Sequence, residues 1–280
     1  MDQDYISQII AEVSKRLEGL DNPSAVAAAP AAVEVIKQEK KIKEVRPMAA
    51  KSVTEFVGTA KGDTIGLVIA NIDSSILENM KVEKKYKSLG IISGRTGAGP
   101  QIFAADEAVK ASNTDIIDIE LPRDTKGGAG HGSLIIFGAD DVSDCRRAVQ
   151  VALNWLDTVS FGDVYSNDAG HTELQYTARA SYAINKVWGA PIGKACGILV
   201  GAPSGIGLVM ADAAVKAANI EVLQYCTPQG GLSLTNEVVL VFTGDSGAVK
   251  QSVIAAREVG NSLLATLGDE PVNDGESYIY

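Results

Sequence analysis

The segment Val200-Gly201-Ala202-Pro203-Ser204-Gly205-Ile206-Gly207 follows an apolar, strand-like run and opens a helix-like one. Glycines at such a turn let backbone amides approach a pyrophosphate at the N-terminus of the helix. Upstream, Tyr182 and Lys186 form a Tyr-x-x-x-Lys pair, in which the lysine lowers the tyrosine pKa for proton transfer. Taken alone, these residue types would suit hydride transfer with a nicotinamide nucleotide.

Their order argues against it. In the short-chain dehydrogenases, which use both features, the tyrosine and lysine come far downstream of the glycines. Here they precede them, and only 280 − 207 = 73 residues remain afterwards. A comparable segment, Gly94-Arg95-Thr96-Gly97-Ala98-Gly99, occupies the same place in an internal repeat, as a turn required by the fold would. Other chemistry is equally thin. His131 and His171 are the only histidines and have no HExxH-like spacing; Ser133 and Ser204 lack a nucleophile-elbow context, and no Gly-Lys-Ser/Thr phosphate loop is present. Cys145, Cys196 and Cys226 are odd in number and show no CxxC spacing, so buried, reduced thiols are expected in place of a disulfide framework or zinc knuckle. No catalytic residue, cofactor site or metal site is expected.

The elements that carry these residues are duplicated. Ala-Asp-x-Ala-Val-Lys-Ala-x-Asn occurs at residues 105–113 and again at 211–219, an offset of 212 − 106 = 106 residues, so one folding unit has been built twice. After each motif comes a strand-like segment, 116–121 or 222–227, followed by Pro122 or Pro228. A glycine-rich loop and a branched apolar run, 134–137 or 238–244, come next. The preceding strands, 90–94 and 197–201, also correspond, and each copy has a further strand and short helix in front, at 64–70 and 74–80 or 172–180 and 181–187. Each copy ends on an amphipathic helix, with Val142, Cys145, Val149, Ala152 and Leu156 in the first and Val249, Val253, Ala256, Gly260, Leu263 and Leu267 in the second. The strands at 116–121 and 134–137 are too close for a crossover helix and should form an antiparallel hairpin. Each half therefore reads as an α+β layer.

Composition fits two domains of about a hundred residues each. With 35 acidic against 25 basic side chains, the net charge of −10 disfavours nucleic acid as a partner. No apolar run approaches the ~20 residues that span a bilayer, and a signal-peptide pattern is lacking, so a cytoplasmic location without membrane contact is expected. Residues 1–20 place Ile6, Ile9, Ile10, Val13 and Leu17 on one helical face. An Ala/Pro-rich stretch and then six basic and two acidic residues within 37–51 follow, which reads as a linker over 21–52. A short tethered helix gains stability only by burying its apolar face, either on the chain's own body or on another protein. The expected organisation is a helix at 1–20, the linker, domains at 53–160 and 161–268, and an acidic tail at 269–280.

The motif helix, short strand, glycine-rich hairpin and apolar strand running into a Gly-Asp or Gly-Ala-Asp helix start resemble the bacterial microcompartment (BMC) shell domain. The resemblance covers both halves, roughly residues 53–268. With a strand and helix placed before the motif, each half resembles the circularly permuted form, and two such copies are similar to the tandem-domain shell proteins of propanediol, ethanol and related utilisation compartments. That resemblance implies a non-enzymatic homotrimer that imitates a hexagonal tile and joins other BMC shell proteins in the compartment shell.

By match to the family, Lys110, Asn113, Lys216 and Asn219 would contact neighbouring tiles, with Arg179 as an edge arginine. The hairpin loops would line a pore for small polar metabolites such as diols, alcohols or aldehydes. Its candidates are Thr125, Lys126, Gly127, Gly128 and His131 in the first copy and Gln229, Gly230, Gly231 and Ser233 in the second. The helix at 1–20 would tie the shell to encapsulated enzymes. A dehydrogenase-like enzyme and a tandem metabolite-sensing module are the alternative functions.

Overall fold

A computed structural model describes residues 54–82, 85–122, 132–229 and 235–280. The anchoring-helix candidates Ile6, Ile9, Ile10, Val13 and Leu17 lie outside the described residues. The first half runs β1 (Phe56–Ala60), β2 (Thr64–Ile69), α1 (Ser74–Asn79), β3 (Ser88–Gly94), α2 (Ala98–Lys110), β4 (Asp115–Glu120), β5 (Ser133–Ala139) and α3 (Val142–Thr158). A 3-10 turn, Ser160–Asp163, leads into the second half. There the order is β6 (Val164–Asn167), β7 (Gly170–Thr177), α4 (Tyr182–Trp188), β8 (Ala195–Ala202), α5 (Ser204–Ala217), β9 (Ile220–Cys226), β10 (Val238–Gly244), α6 (Ser246–Ala265) and β11 (Val272–Asn273).

The duplication is visible in the sheets. The first has the order β1-β2-β3-β5-β4 and the second β11-β6-β7-β8-β10-β9; every pairing is antiparallel, including the expected hairpin of β4 and β5. The short strands β1, β6 and β11 are additions to the elements legible in the sequence. β1 pairs with β2, β6 with β7 and β11 with β6, and at the edge strands β1 and β11 a few residues suffice because only one neighbour must be matched.

The long amphipathic helices cover their own sheets. Asp141 caps α3 by accepting a hydrogen bond from Ser143 N at 2.8 Å, and Cys145, Ala148, Val149, Ala152, Leu153 and Leu156 are buried beneath it. In α6 the buried stripe is Val249, Ser252, Val253, Ala256, Gly260 and Leu264. Leu267, expected on that stripe, is 54% exposed because the helix ends at Ala265. All three cysteines are buried and unpaired.

The second sheet is covered on both faces. Leu174, Ala195, Leu199, Leu240 and Phe242 join one core with α5 and α6, whereas Cys196, Ile198, Val200 and Val241 join the core of the first half. This explains why β8 is buried at every position and reads as a continuous apolar run instead of an alternating one. The C-terminal residues return to this body. Ile279 is fully buried; Arg257 Nη1 donates to Asp163 Oδ1, Ser277 Oγ and the Ile279 carbonyl at 2.8, 2.7 and 2.6 Å, and Tyr278 N donates to Asp163 Oδ2 at 3.0 Å.

Candidate functional site

The repeated motif lies on α2 and α5, and its surroundings differ between them. In α2, Asp106 is fully buried. Its two oxygens accept Ser181 N at 2.9 Å each, and Oδ1 also accepts Ile184 N at 3.2 Å, so a first-half carboxylate holds the start of α4 in the second half. Burial pushes this carboxyl above the ordinary carboxylate range, while Lys110 and the backbone donors oppose the shift. Lys110 Nζ lies 2.9 Å from Asp106 Oδ2 and 2.7 Å from Glu107 Oε1, and donates to Thr177 Oγ1 at 3.4 Å. Its side chain is 23% exposed. In α5 the corresponding pair, Asp212 and Lys216, is 2.6 Å apart with side chains 56% and 73% exposed.

The remaining edge candidates are at the surface. Asn113 and Asn219 are exposed just beyond their helices. Arg179 is exposed in the turn between β7 and α4, where its backbone N donates to the same Thr177 Oγ1 at 3.2 Å that Lys110 reaches. The fold thus brings Lys110 and the Arg179 turn together. Asn219 opens onto a shallow cleft that Pro191, Lys194, Glu221 and Thr243 also line. Of the pore candidates, Gln229 is exposed at the end of β9's following turn, whereas Thr125, Lys126, Gly127, Gly128, His131, Gly230, Gly231 and Ser233 lie outside the described residues. The first hairpin loop is pinched at its base by Gly132 N donating to the Pro122 carbonyl at 2.8 Å.

Packing accounts for the glycine-rich turn before α5. A Cβ on Gly201 would stand 2.5 Å from Gly207 Cα, and one on Gly207 would stand 2.9 Å from Val238 Cβ. These glycines let α5 lean directly on β8 and β10. Tyr182 is 63% exposed on α4, on a different element from the turn.

A buried polar row was hidden in β7. His171, Glu173, Gln175 and Thr177 alternate with Thr172, Leu174 and Tyr176; all four are buried, Glu173 and Gln175 against Gly99 of the first half and Thr177 within reach of Lys110. His171 Nε2 lies 3.0 Å from Glu237 Oε1. Burial pushes Glu173 up to about 7, with the opposing charge of His171 lowering it and Glu237 raising it; its Oε1 has no hydrogen-bond partner. The period-two alternation was the available signal, but alternation alone does not say which face is wet. Among the described residues no helix is long and apolar enough to cross a membrane.

Duplicated antiparallel sheets, each with a motif helix and a closing amphipathic helix, define a tandem-domain protein of one fold family. The chain belongs to the BMC domain family, whose description matches residues 88–167 and 195–268. It is 58% identical over 278 residues to the bacterial microcompartment shell protein PduB of Salmonella typhimurium, covering 99% of this chain and 98% of that one. The crystal structure of a trimeric bacterial microcompartment shell protein PduB matches with a TM-score of 0.78 and 56% identity, over 81% of this chain and 100% of that one. EtuB from Clostridium kluyveri matches with a TM-score of 0.78 and 52% identity, over 81% and 99%.

Proposed function

We propose that this chain is a structural component of a bacterial microcompartment shell, a homotrimer whose paired domains, residues 53–160 and 161–268, make a hexagon-like tile. The observation that carries this reading is the duplicated motif helix in a chain similar throughout its length to PduB shell proteins, one of which is trimeric. The role is non-enzymatic. In support, the glycine-rich turn is explained by close helix–strand packing.

Lys110, Asn113, Lys216, Asn219 and Arg179 form the contacts between tiles. A lysine stem can lie across a flat neighbouring surface while its ammonium meets a carbonyl, and Lys216 with Asn219 beside an open cleft suits that use best. The two hairpin loops, with Gln229 at the margin of one, line passages for small polar metabolites. Residues 1–20 connect the shell to its cargo or to other shell proteins.

Electron microscopy of the overexpressed chain tests the assembly. Flat sheets or rounded bodies are expected, and Lys216→Ala should abolish them while light scattering still finds trimers. Dispersed particles from the unaltered chain would sink the tile. Deleting residues 1–20 should leave trimers intact and deplete cargo from isolated compartments.

A further inference from the structure

The two halves enclose a polar seam. On one side stand the first turn of α2 and the β1–β2 turn; on the other stand the Ser160–Asp163 turn and β7. A Cβ on Gly62 would meet both Phe161 Cζ, at 2.6 Å, and Gln101 Nε2, at 2.8 Å, and one on Gly99 would meet Glu173 Oε1 at 1.8 Å and Gln175 Cγ at 3.8 Å. Gln101, Ser160 and Gln175 are fully buried, and Glu173 is nearly so. Three oxygens here, Gln101 Oε1, Ser160 Oγ and Glu173 Oε1, have no hydrogen-bond partner, although buried polar atoms are nearly always paired. An unpaired buried oxygen is costly, so the seam gains by admitting water wherever a way in exists.

The C-terminal residues lie across the outside of this seam. Asn273 Nδ2 donates to the Gly162 carbonyl, Lys61 Nζ of the first half donates to the Asp274 carbonyl, and the Glu276 carbonyl crowds Gly162, where a Cβ would stand 1.9 Å from it. The tail then turns inward at Tyr278. Its hydroxyl accepts Tyr176 N at 2.9 Å and lies 3.2 Å from both Gln175 Oε1 and the Tyr176 carbonyl, one of which takes its proton. Gln175 Nε2 in turn donates to the Ser160 carbonyl at 2.8 Å. One phenol thus reaches the wall of the seam through a single side chain.

The duplication shows what is unusual about this contact. Val68 pairs with Gly90 in the first half and Tyr176 with Gly197 in the second, corresponding positions 176 − 68 = 108 residues apart. Val68 N donates to a main-chain carbonyl, that of Glu55, at 2.7 Å, as continued strand pairing would. In the second half β6 pairs with β7 only as far as Glu173, and Tyr176 N is met by a side-chain hydroxyl instead. Asp274, Gly275 and Glu276 are exposed, and β11 has two residues. A segment held by a few separate bonds and one buried side chain, Ile279, can open locally without unfolding the sheets.

We infer that residues 272–279 are a releasable strap that shuts the seam between the halves, with Tyr278 as its latch. With the strap down, the tail and the Ser160–Asp163 turn form the outer wall of the seam. With it lifted, Gln175 loses its hold, and water and small neutral solutes reach the oxygens of Gln101, Ser160 and Glu173. The inference is independent of the tile reading, since every contact it uses lies within one chain.

Thiol labelling of the full chain tests it. Ser160→Cys puts a thiol in the seam in place of an oxygen without a partner. Its alkylation by iodoacetamide, mapped by mass spectrometry, should be slow, and roughly tenfold faster once Tyr278→Phe is added, the change in an opening equilibrium expected from one lost hydrogen bond. Native Cys145, buried beneath α3, should keep its rate, and a bulky polyethylene-glycol maleimide should stay slow at the introduced thiol. Hydrogen exchange gives a second reading without that thiol: Tyr278→Phe alone should speed exchange of the Tyr176 amide and leave that of Leu199, on β8, unchanged. Equal labelling with and without the Tyr278 hydroxyl, or an unchanged Tyr176 amide, refutes the strap. So does acceleration of Cys145 or of the bulky reagent in step, because the body would then be unfolding.

Discussion

Asp106 and Asp212 are the same letter in the same repeated motif, and their environments are opposite. Asp106 is buried at the start of another helix with Lys110 beside it, whereas Asp212 and Lys216 face solvent. The motif itself was legible from sequence, but burial of its first copy was not, because the covering surface comes from residues about 75 positions later. Removing Lys110 leaves a buried carboxylate without its cation, so Lys110→Ala should cost about 1–3 kcal/mol. Lys216→Ala should be close to neutral for stability; chemical denaturation of the two variants measures the difference. Glu173 gives a pH signature. Its carboxyl is held at about 7 when folded against an ordinary 4.5, so the native state binds more protons between those values and stability falls as pH rises through that window. Glu173→Gln should flatten this dependence and stabilise the fold at pH 8 by roughly 3 kcal/mol at most, which appears as a higher melting temperature. Parallel melting curves that keep the same slope from pH 5 to 8 would refute it.

At the scale of elements, the strongly periodic pieces were readable and the short ones were not. Helices α3 and α6 carry apolar stripes that match their buried faces along most of their length. By contrast, β1, β6 and β11 have only five, four and two residues, too few to establish a period. The residues at 269–280 read as an acidic tail, since the pattern contains no helix or strand signal. Its last residues are nevertheless tied down: Ile279 is buried, Arg257 links Ser277, Ile279 and Asp163, and Tyr278 bonds to Asp163 and to β7. Deleting residues 277–280 should therefore destabilise the body by about 2–5 kcal/mol, the range for emptying a buried aliphatic site. Removing Tyr280 alone, which is 84% exposed, should change little. Denaturant midpoints of the two truncations provide the comparison.

For the whole molecule, the duplication identified two similar units, but their shared core was beyond a reading of either unit alone. Ile102 and Phe103 of the first half belong to one apolar cluster with Ile184, Trp188, Ile198 and Val241 of the second. Residues 54–280 should accordingly unfold in one cooperative transition, with calorimetric and van't Hoff enthalpies in agreement once any assembly is dissociated. Two resolved transitions would show that the halves are thermodynamically separate. The same cluster explains why the resemblance could place the lysines but not their different degrees of exposure: a family motif specifies a helix, and the neighbour specifies how much of it water can reach.

The short connection through Ser160–Asp163 gives the buried Asp106 a further meaning. A tether of a few residues holds one half beside the other at a very high effective concentration, so that joint can tolerate the desolvation of a charge without dissociating. A joint between separate chains has no tether and must form at whatever concentration synthesis provides. Fusion of two domains into one polypeptide therefore lets the joint within the chain carry a polar, positionally specific contact, Asp106 with the backbone of Ser181 and Ile184, that an untethered joint would have to form at a far lower effective concentration.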